Sequence, residues 1–184
     1  MAARSEARVV DALTRGEQLT SRRLLLRPWC AGDASGLPMA LADPLVTRWT
    51  RIRSNYTRRD AEAWVATDHG PHVLELAIVR KTNDELLGGL RLGYEEGSLR
   101  AGYWVRASVR GEGIAGEALH AAARRTTRAV PNETLEVLIR ASNERSQRVA
   151  HRAGFWRAAC LRRHRPVGDR LEDYVLLRYG RAKT

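Results

Sequence analysis

Apolar and polar positions alternate with two different periods along the chain, and each change of period marks a new element. "LTSRRLLLRPW" (19–29) has the character of a strand and is stopped by Pro28. Two helical segments follow. "AGDASGLPMALADP" (31–44) has Asp33 placed as an N-cap and stops near Pro44, and "TRRDAEAWVATDH" (57–69) has Thr57 as its cap. "HVLELAIVR" (72–80) and "LLGGLRLGY" (86–94) are β-rich runs joined by "KTNDE", which has hairpin-turn chemistry. "SLRAGYWVRASV" (98–109) is a further strand, set off by "EEG". In "RGEGIAGEALHAAARRTTRAV" (110–130), Ala115, Ala118, Leu119 and Ala122 recur at i, i+3, i+4 and i+7, the mark of a helix with one buried face. "TLEVLIR" (134–140) is a short strand. "NERSQRVAHRAGF" (143–155) is a helix opened by Asn143 and stopped by Gly154. "WRAACLRRHR" (156–165) and "RLEDYVLLRY" (170–179) close the chain as a strand pair around "PVGD".

The order β-α-α-β-β-β-α-β-α-β-β predicts an α+β fold in a single domain over residues 19–184. Residues 1–18 are a polar N-terminal extension with a weak helical period at Val9, Val10 and Leu13, either an extra helix or a loose extension. A length of 184 residues suits one domain with a real core. There is no apolar run long enough for a membrane span, and the N-terminus has no apolar signal region, so the chain reads as cytoplasmic. Cys30 and Cys160 are the only cysteines, too few and too far apart for a disulfide framework, and they read as small core residues. The histidines show no metal-ligand spacing, and no metal is expected.

The net charge of +11 comes almost wholly from arginine, because Lys81 and Lys183 are the only lysines. Such a chain has either a solvated basic surface or a preference for an anionic partner. A nucleic-acid-binding protein is one candidate class, but no helix-turn-helix spacing, zinc-finger cysteines or RNA-binding aromatic motif supports it.

The most informative stretch is "VRGEGIAGEAL", in which Gly111, Gly113 and Gly116 form G-x-G-x-x-G. A dinucleotide fingerprint needs βαβ units around it and an acid ending the second strand. Here that strand ends in Arg140, which could instead hold the 2′-phosphate of NADP, but the preceding strands read as hairpins and only one further helix follows before an antiparallel pair. A Walker loop is also absent. The other readings are a tight turn in which glycine relieves crowding, and an anion cradle. In the cradle, bare amides at a helix N-terminus approach a phosphate and Arg110 adds a full charge.

"R-G-x-G-x-A" followed by "N-x-x-S-x-x-V-x-x-R-x-G-F", with a helix and a strand between them, resembles the GNAT family of N-acetyltransferases. The resemblance runs from about Leu19 to Arg178. It implies a mostly antiparallel mixed sheet with a splayed strand pair, flanked by helices. Arg110, Gly113 and Ala115 match the family's [QR]-x-x-G-x-[GA] pattern, whose amides hold the pyrophosphate of acetyl-CoA. By that resemblance the cofactor contacts fall on Trp104, Val105, Arg110, Gly111, Gly113, Ile114, Ala115, Gly116, Asn143 and Ser146. "LLLRPW", "GYWV" and "DYVLL" are similar to the RimJ/RimL branch, which acetylates N-terminal amines of ribosomal proteins. Relatives also act on small amines and are often dimers. The chain departs from that branch at Arg100 and Ser108, where acidic residues are common, and at Ala107, where proline is common.

Amine acetylation needs a neutral amine, a donor that stabilises the oxyanion, and a proton for the departing thiolate. Many family members carry a tyrosine at the position of Ala150. Ser146, one helical turn after Asn143, is the expected substitute, unless it only caps the helix. Glu95, Glu96, Glu172 and Asp173 are the candidate bases. "YEEG" is most simply a hairpin turn, and Asp173 matches a recurrent aspartate beside the acceptor cleft, so Ser146 and Asp173 are the expected catalytic pair. A non-catalytic acyl-CoA-binding module would share the cradle and lack the acid and base. Tyr103 is another hydroxyl near the cradle and reads more simply as core packing, and the tryptophans read mostly as core anchors, with Trp29 and Trp49 in the half that forms the acceptor cleft in relatives.

Overall fold

The computed structural model describes residues 2–15, 18–53 and 55–180. Eight strands form one sheet in the order β1-β2-β3-β4-β5-β6-β8-β7. They are β1 (Leu19–Thr20), β2 (Leu24–Pro28), β3 (Val73–Arg80), β4 (Leu86–Glu95), β5 (Ser98–Val105), β6 (Glu136–Arg140), β7 (Phe155–Val167) and β8 (Arg170–Tyr179). All neighbouring pairs are antiparallel except β5 and β6. The helices are α1 (Ala2–Thr14), α2 (Leu37–Leu41), α3 (Pro44–Trp49), α4 (Arg58–Ala66), α5 (Ile114–Ala129) and α6 (Glu144–Arg152). This is the expected α+β architecture.

Alternation along the strands sends one apolar set to each face. Leu76, Ile78, Leu90, Leu92, Leu99, Val137 and Leu177 pack under Ile114, Ala118, Leu119 and Ala122 of α5. Ala77 and Val79 pack on the other face with Leu37, Leu41, Val46 and Ala61 from α2, α3 and α4. The extension folds as α1. Val9, Val10 and Leu13 are buried, and Arg125 of α5 donates to the carbonyls of Ala12 at 2.9 Å and Leu13 at 3.2 Å. These bonds satisfy carbonyls that the end of α1 leaves without helical partners. Met1, Gly16, Glu17 and residues 181–184, also assigned to the extension or the domain, lie outside the described residues.

Three local expectations are corrected. The single strand over 19–29 is two strands, because Leu19 pairs back on Leu26 through a turn at Ser21–Arg23. The helix over 31–44 is a tight turn at Ala31–Ser35, then α2, then α3. Asp33 does not occupy the cap position. Cys30 does, and the Asp33 carboxylate accepts from the Cys30 amide at 2.9 Å while pairing with Arg27 at 2.8 Å. Pro44 does not end a helix but starts one, since its missing N–H costs nothing at the first helical position and the Asp43 side chain accepts from the Leu45 amide at 2.7 Å. Cys30 and Cys160 are exposed, not core: one sits at the head of a surface turn and the other on the outermost strand.

Candidate active site

The glycine loop between β5 and α5 leaves its backbone free. Gly111 and Gly113 have φ of +89° and +81°, a left-handed conformation that side chains disfavour. Among the described residues, the amides of Gly111 through Gly116 donate no hydrogen bond, and the first helical bond is from Glu117 to the Gly113 carbonyl at 3.0 Å. A Cβ at Gly111 would meet nothing within 4 Å, and one at Gly113 would meet only the Arg23 guanidinium at 3.7 Å. Bare amides, open space and the positive end of a helix dipole fit a pyrophosphate. Ile114 and Ala115 bury their side chains, which leaves only their backbone to serve the cradle.

The loop is braced from two sides. Arg23 donates to the Glu112 carbonyl at 2.9 Å and pairs with Glu117 at 2.7 Å, and the Ser21 hydroxyl also reaches Glu117 at 2.6 Å. Burial opposes charge on Glu117, but the Ser21 and Arg23 donors overcome it and hold its carboxyl below the usual range. Arg110 pairs with Asp43 at 3.0 Å and reaches the Val105 carbonyl at 3.4 Å. It therefore ties the end of β5 to the N-terminus of α3. Hydrogen bonding from Arg110 lowers the pKa of Asp43.

Beside the cradle the sheet opens. β5 and β6 share a single bridge, Arg100 to Glu136, while β6 pairs along its length with β8. The β5 edge from Ala101 to Val105 has no register with β6. Tyr103 spans this gap. Its hydroxyl lies 2.7 Å from the Ser146 Oγ and donates to the Ser146 carbonyl at 3.1 Å. Burial pushes the Tyr103 hydroxyl up to about 12, with the Ser146 contact pulling the other way. Both hydroxyls are therefore neutral at pH 7 and form a two-member O–H chain. Asn143 caps α6, its Oδ1 accepting from the Ser146 amide at 3.1 Å, so its Nδ2 donors remain for a ligand. Tyr103 combines the two roles open to it in the sequence, packing and a hydroxyl near the cradle. Its ring packs on the core, and its hydroxyl reaches Ser146.

Trp104 points to the opposite face. Its ring stacks on Trp29 at 6.4 Å, and Trp29 meets Trp64 edge-on at 5.2 Å. A Cβ at Gly89 would lie 2.7 Å from the Trp104 Nε1 and 3.0 Å from a Trp29 ring carbon, so the packing of the two indoles over β4 requires glycine there. Trp104 and half-buried Val105 thus offer their backbone to the gap.

The candidate bases are placed differently from one another. Asp173 is exposed on β8, and its Oδ1 accepts from the Arg163 amide at 2.8 Å. That amide belongs to a bulge of β7 in which Arg163 has φ of +46°. No hydrogen bond joins Asp173 to Ser146 or Tyr103 among the described residues. Glu172 lies 3.8 Å from Arg140. Glu95 and Glu96 sit at the β4–β5 hairpin and both pair with Arg165 of β7, at 3.1 and 3.0 Å.

The model of the acetyltransferase (GNAT) domain family matches residues 23–156. The chain belongs to the GNAT acetyltransferase family. It is an N-acetyltransferase, and acetyl-CoA is its co-substrate. The GNAT fold accounts for the glycine pattern without a dinucleotide. A GNAT-family acetyltransferase from Bacillus anthracis superposes with a TM-score of 0.78 at 18% identity, covering 88% of this chain and 97% of that one. Mycobacterium smegmatis RimJ, in complex with CoA-disulfide, gives 0.71 at 25% identity over 84% of this chain and 80% of that one. RimL, a ribosomal L7/L12 alpha-N-protein acetyltransferase in complex with coenzyme A, gives 0.73 at 18% identity, covering 88% and 97%. No curated protein sequence matches. Among the described residues, no helix is long and apolar enough to cross a membrane.

Proposed function

We propose that this GNAT enzyme acetylates a primary amine, either a protein N-terminus such as that of a ribosomal protein or a small-molecule amine, by direct attack in a ternary complex. The observation that carries this reading is the Tyr103–Ser146 hydroxyl pair, 2.7 Å apart across the β5–β6 gap and beside the free amides of Gly111 through Gly116. The amides neutralise the pyrophosphate, and Asn143 holds the cofactor arm through its free Nδ2. The hydroxyl pair delivers a proton to the departing thiolate, with Ser146 as donor and Tyr103 as its relay. Asp173 shapes the acceptor side by holding the β7 bulge. The similarity to RimJ and RimL supports a protein N-terminus as acceptor. A ribosome-proximal partner fits the charge of +11, and a homodimer is part of the same reading.

The test is calorimetric titration with acetyl-CoA, CoA and NADPH, beside an Arg110→Ala, Gly113→Asp double variant. Acetyl-CoA binding that the variant loses supports the cradle. A screen of peptide N-termini and polyamines, read by thiol release, then identifies the acceptor. NADPH binding alone would restore the dinucleotide reading, and acetyl-CoA binding without turnover of any amine would leave a binding module. Acceptor affinity that falls steeply with salt would support a polyanionic partner.

A further inference from the structure

The acceptor needs a group that takes its proton, and none of the four acids singled out in the sequence is free for it at the centre of the sheet. Glu95 pairs with Arg91 at 3.0 Å and Arg165 at 3.1 Å. Glu96 pairs with Arg100 and Arg165, both at 3.0 Å. Glu172 and Asp173 lie on β8, the latter bonded to the bulge. Glu136, the one acid in the bridge between β5 and β6, pairs with Arg178 at 2.9 Å.

Glu75 of β3 is different. Its neighbour across the strand pair is Arg91 of β4, whose neighbour in turn is Gly102 of β5. The three residues form one row across the sheet and share the face opposite α5. Gly102 is exposed, and a Cβ there would meet nothing within 4 Å. The row thus ends in open space over bare backbone, two residues along β5 from the single bridge where the sheet begins to open. The next row carries Trp104 and Gly89, with Trp29 stacked alongside, and gives this space an aromatic wall. The Glu75 side chain is only 18% exposed, and its ion pair with Arg91 is long, at 3.3 Å. Among the described residues it accepts no hydrogen bond.

The geometry points to Glu75 as the general base of the acetyl transfer, taking the proton of the incoming ammonium through water held over Gly102. This inference rests on the transferase reading above. Gly102 lies two strands away, about 10 Å in the sheet, which the side chain and a short water chain cover. The carboxylate takes one proton and leaves a neutral amine. The amine lone pair forms the C–N bond at the thioester carbonyl, and the C–S bond breaks. The second amine proton passes to the thiolate by way of the Tyr103–Ser146 pair, and Glu75 releases its proton to solvent. Burial, opposed by Arg91, sets the carboxyl up to about 7, where a base works best near neutral pH. By contrast, hydrogen bonds from their arginines hold Glu95 and Glu96 below the usual range, against burial that is the larger single influence on Glu95. The charged groups that face Glu75 are Arg91 itself, Glu95 beyond that guanidinium, and Arg165 and Arg51 behind Glu95.

The experiment uses the full chain, wild type and Glu75→Gln, with acetyl-CoA and three probe amines: a Ser-initiated peptide, an Ala-initiated peptide and spermidine. In Glu75→Gln, kcat/KM is expected to fall about 100-fold or more. The rise of the rate through pH 7 should disappear, leaving only the ionisation of the amine itself. Acetyl-CoA affinity by calorimetry should stay within about threefold, which also shows that the variant folds. In carboxyl-labelled protein, the Glu carbon signal missing from Glu75→Gln should titrate with a midpoint near 7. A midpoint in the ordinary glutamate range overturns the inference, as does a variant that retains the wild-type rate and pH profile. Failure of the wild type to bind acetyl-CoA would refute the transferase reading instead. A wild type that binds acetyl-CoA and turns over none of the three amines overturns the inference as well, since there is then no ammonium proton for Glu75 to take.

Discussion

Gly113 gives the sharpest test of the cradle, because its cost can be worked from geometry. Its φ of +81° places it in the left-handed region, where a Cβ costs about 1–2 kcal/mol. The space itself is open, with the nearest atom 3.7 Å from the added carbon, so crowding adds little. Gly113→Ala is therefore expected to lower the melting temperature by about 2–8 °C for a chain of this size. Gly116→Ala is the internal contrast. It lies in the first turn of α5, its added carbon would make ordinary contacts with Val149 at 3.9 and 4.0 Å, and alanine favours the helix by about 0.5–1 kcal/mol. Ligand binding should separate the two variants further. If Gly113→Ala relaxes out of the left-handed region, an amide turns away from the pyrophosphate. A hydrogen bond to a charged group contributes about 1.5–3 kcal/mol, so the Kd for acetyl-CoA should rise about 10- to 100-fold. Scanning calorimetry and isothermal titration measure both effects. A Gly113→Ala protein with wild-type melting temperature and affinity would mean that the left-handed turn does not set the direction of the amides, and the argument for the cradle would fail.

Tyr103→Phe and Ser146→Ala should each slow thiol release about 10- to 100-fold, and the double variant should be no slower than the worse single one, because one proton path is cut twice; additive losses would contradict a shared relay. Asp43 has a folded pKa below its unfolded value, so its contribution to stability is present above about pH 4 and is lost as pH falls through the folded pKa. Urea midpoints of wild type and Asp43→Asn should therefore differ at pH 7 and converge as the pH falls through the folded pKa of Asp43, and a gap that stays constant throughout acidification would rule out the ion pair with Arg110 as its source. Leu13→Ala in α1 should cost about 2–5 kcal/mol, since Leu13 is 1% exposed; a loss under about 1 kcal/mol in chemical denaturation would show that α1 is not part of the core.

Local chemistry that repeats over several residues was legible in the sequence. The helix of α5, its glycine-rich entry, the Asn143 cap and the closing hairpin are all written in contiguous residues. Features that depend on which strand lies beside which were not. Glu75 reads as the polar position of an ordinary alternating strand, and only the register with Arg91 and Gly102 puts it at the centre of the sheet. Tyr103 and Ser146 are 43 residues apart and meet because β5 and α6 flank the same gap. The signal for α3 was present and misread: Asp-Pro looked like a stop, although aspartate as cap with proline in the first turn is also a start. The pairing of Asp43 with Arg110, which turns that start into a brace for the cradle, depends on tertiary contact and has no trace in sequence spacing.

The single bridge between Arg100 and Glu136 has a mechanical consequence. Two leaves, β1–β5 and β6–β8, are sewn together by one stitch of backbone, so little of the ladder resists their opening like a book. The clasps that oppose such opening are side chains. Tyr103 reaches Ser146, Arg165 reaches Glu95 and Glu96, and Arg140 lies over the Trp49 ring at 4.9 Å. The first of these clasps lies across the β5–β6 gap itself. Stiffness across the spine is thereby coupled to occupancy, and a bound substrate that fills the gap would act as the binding thread of the volume.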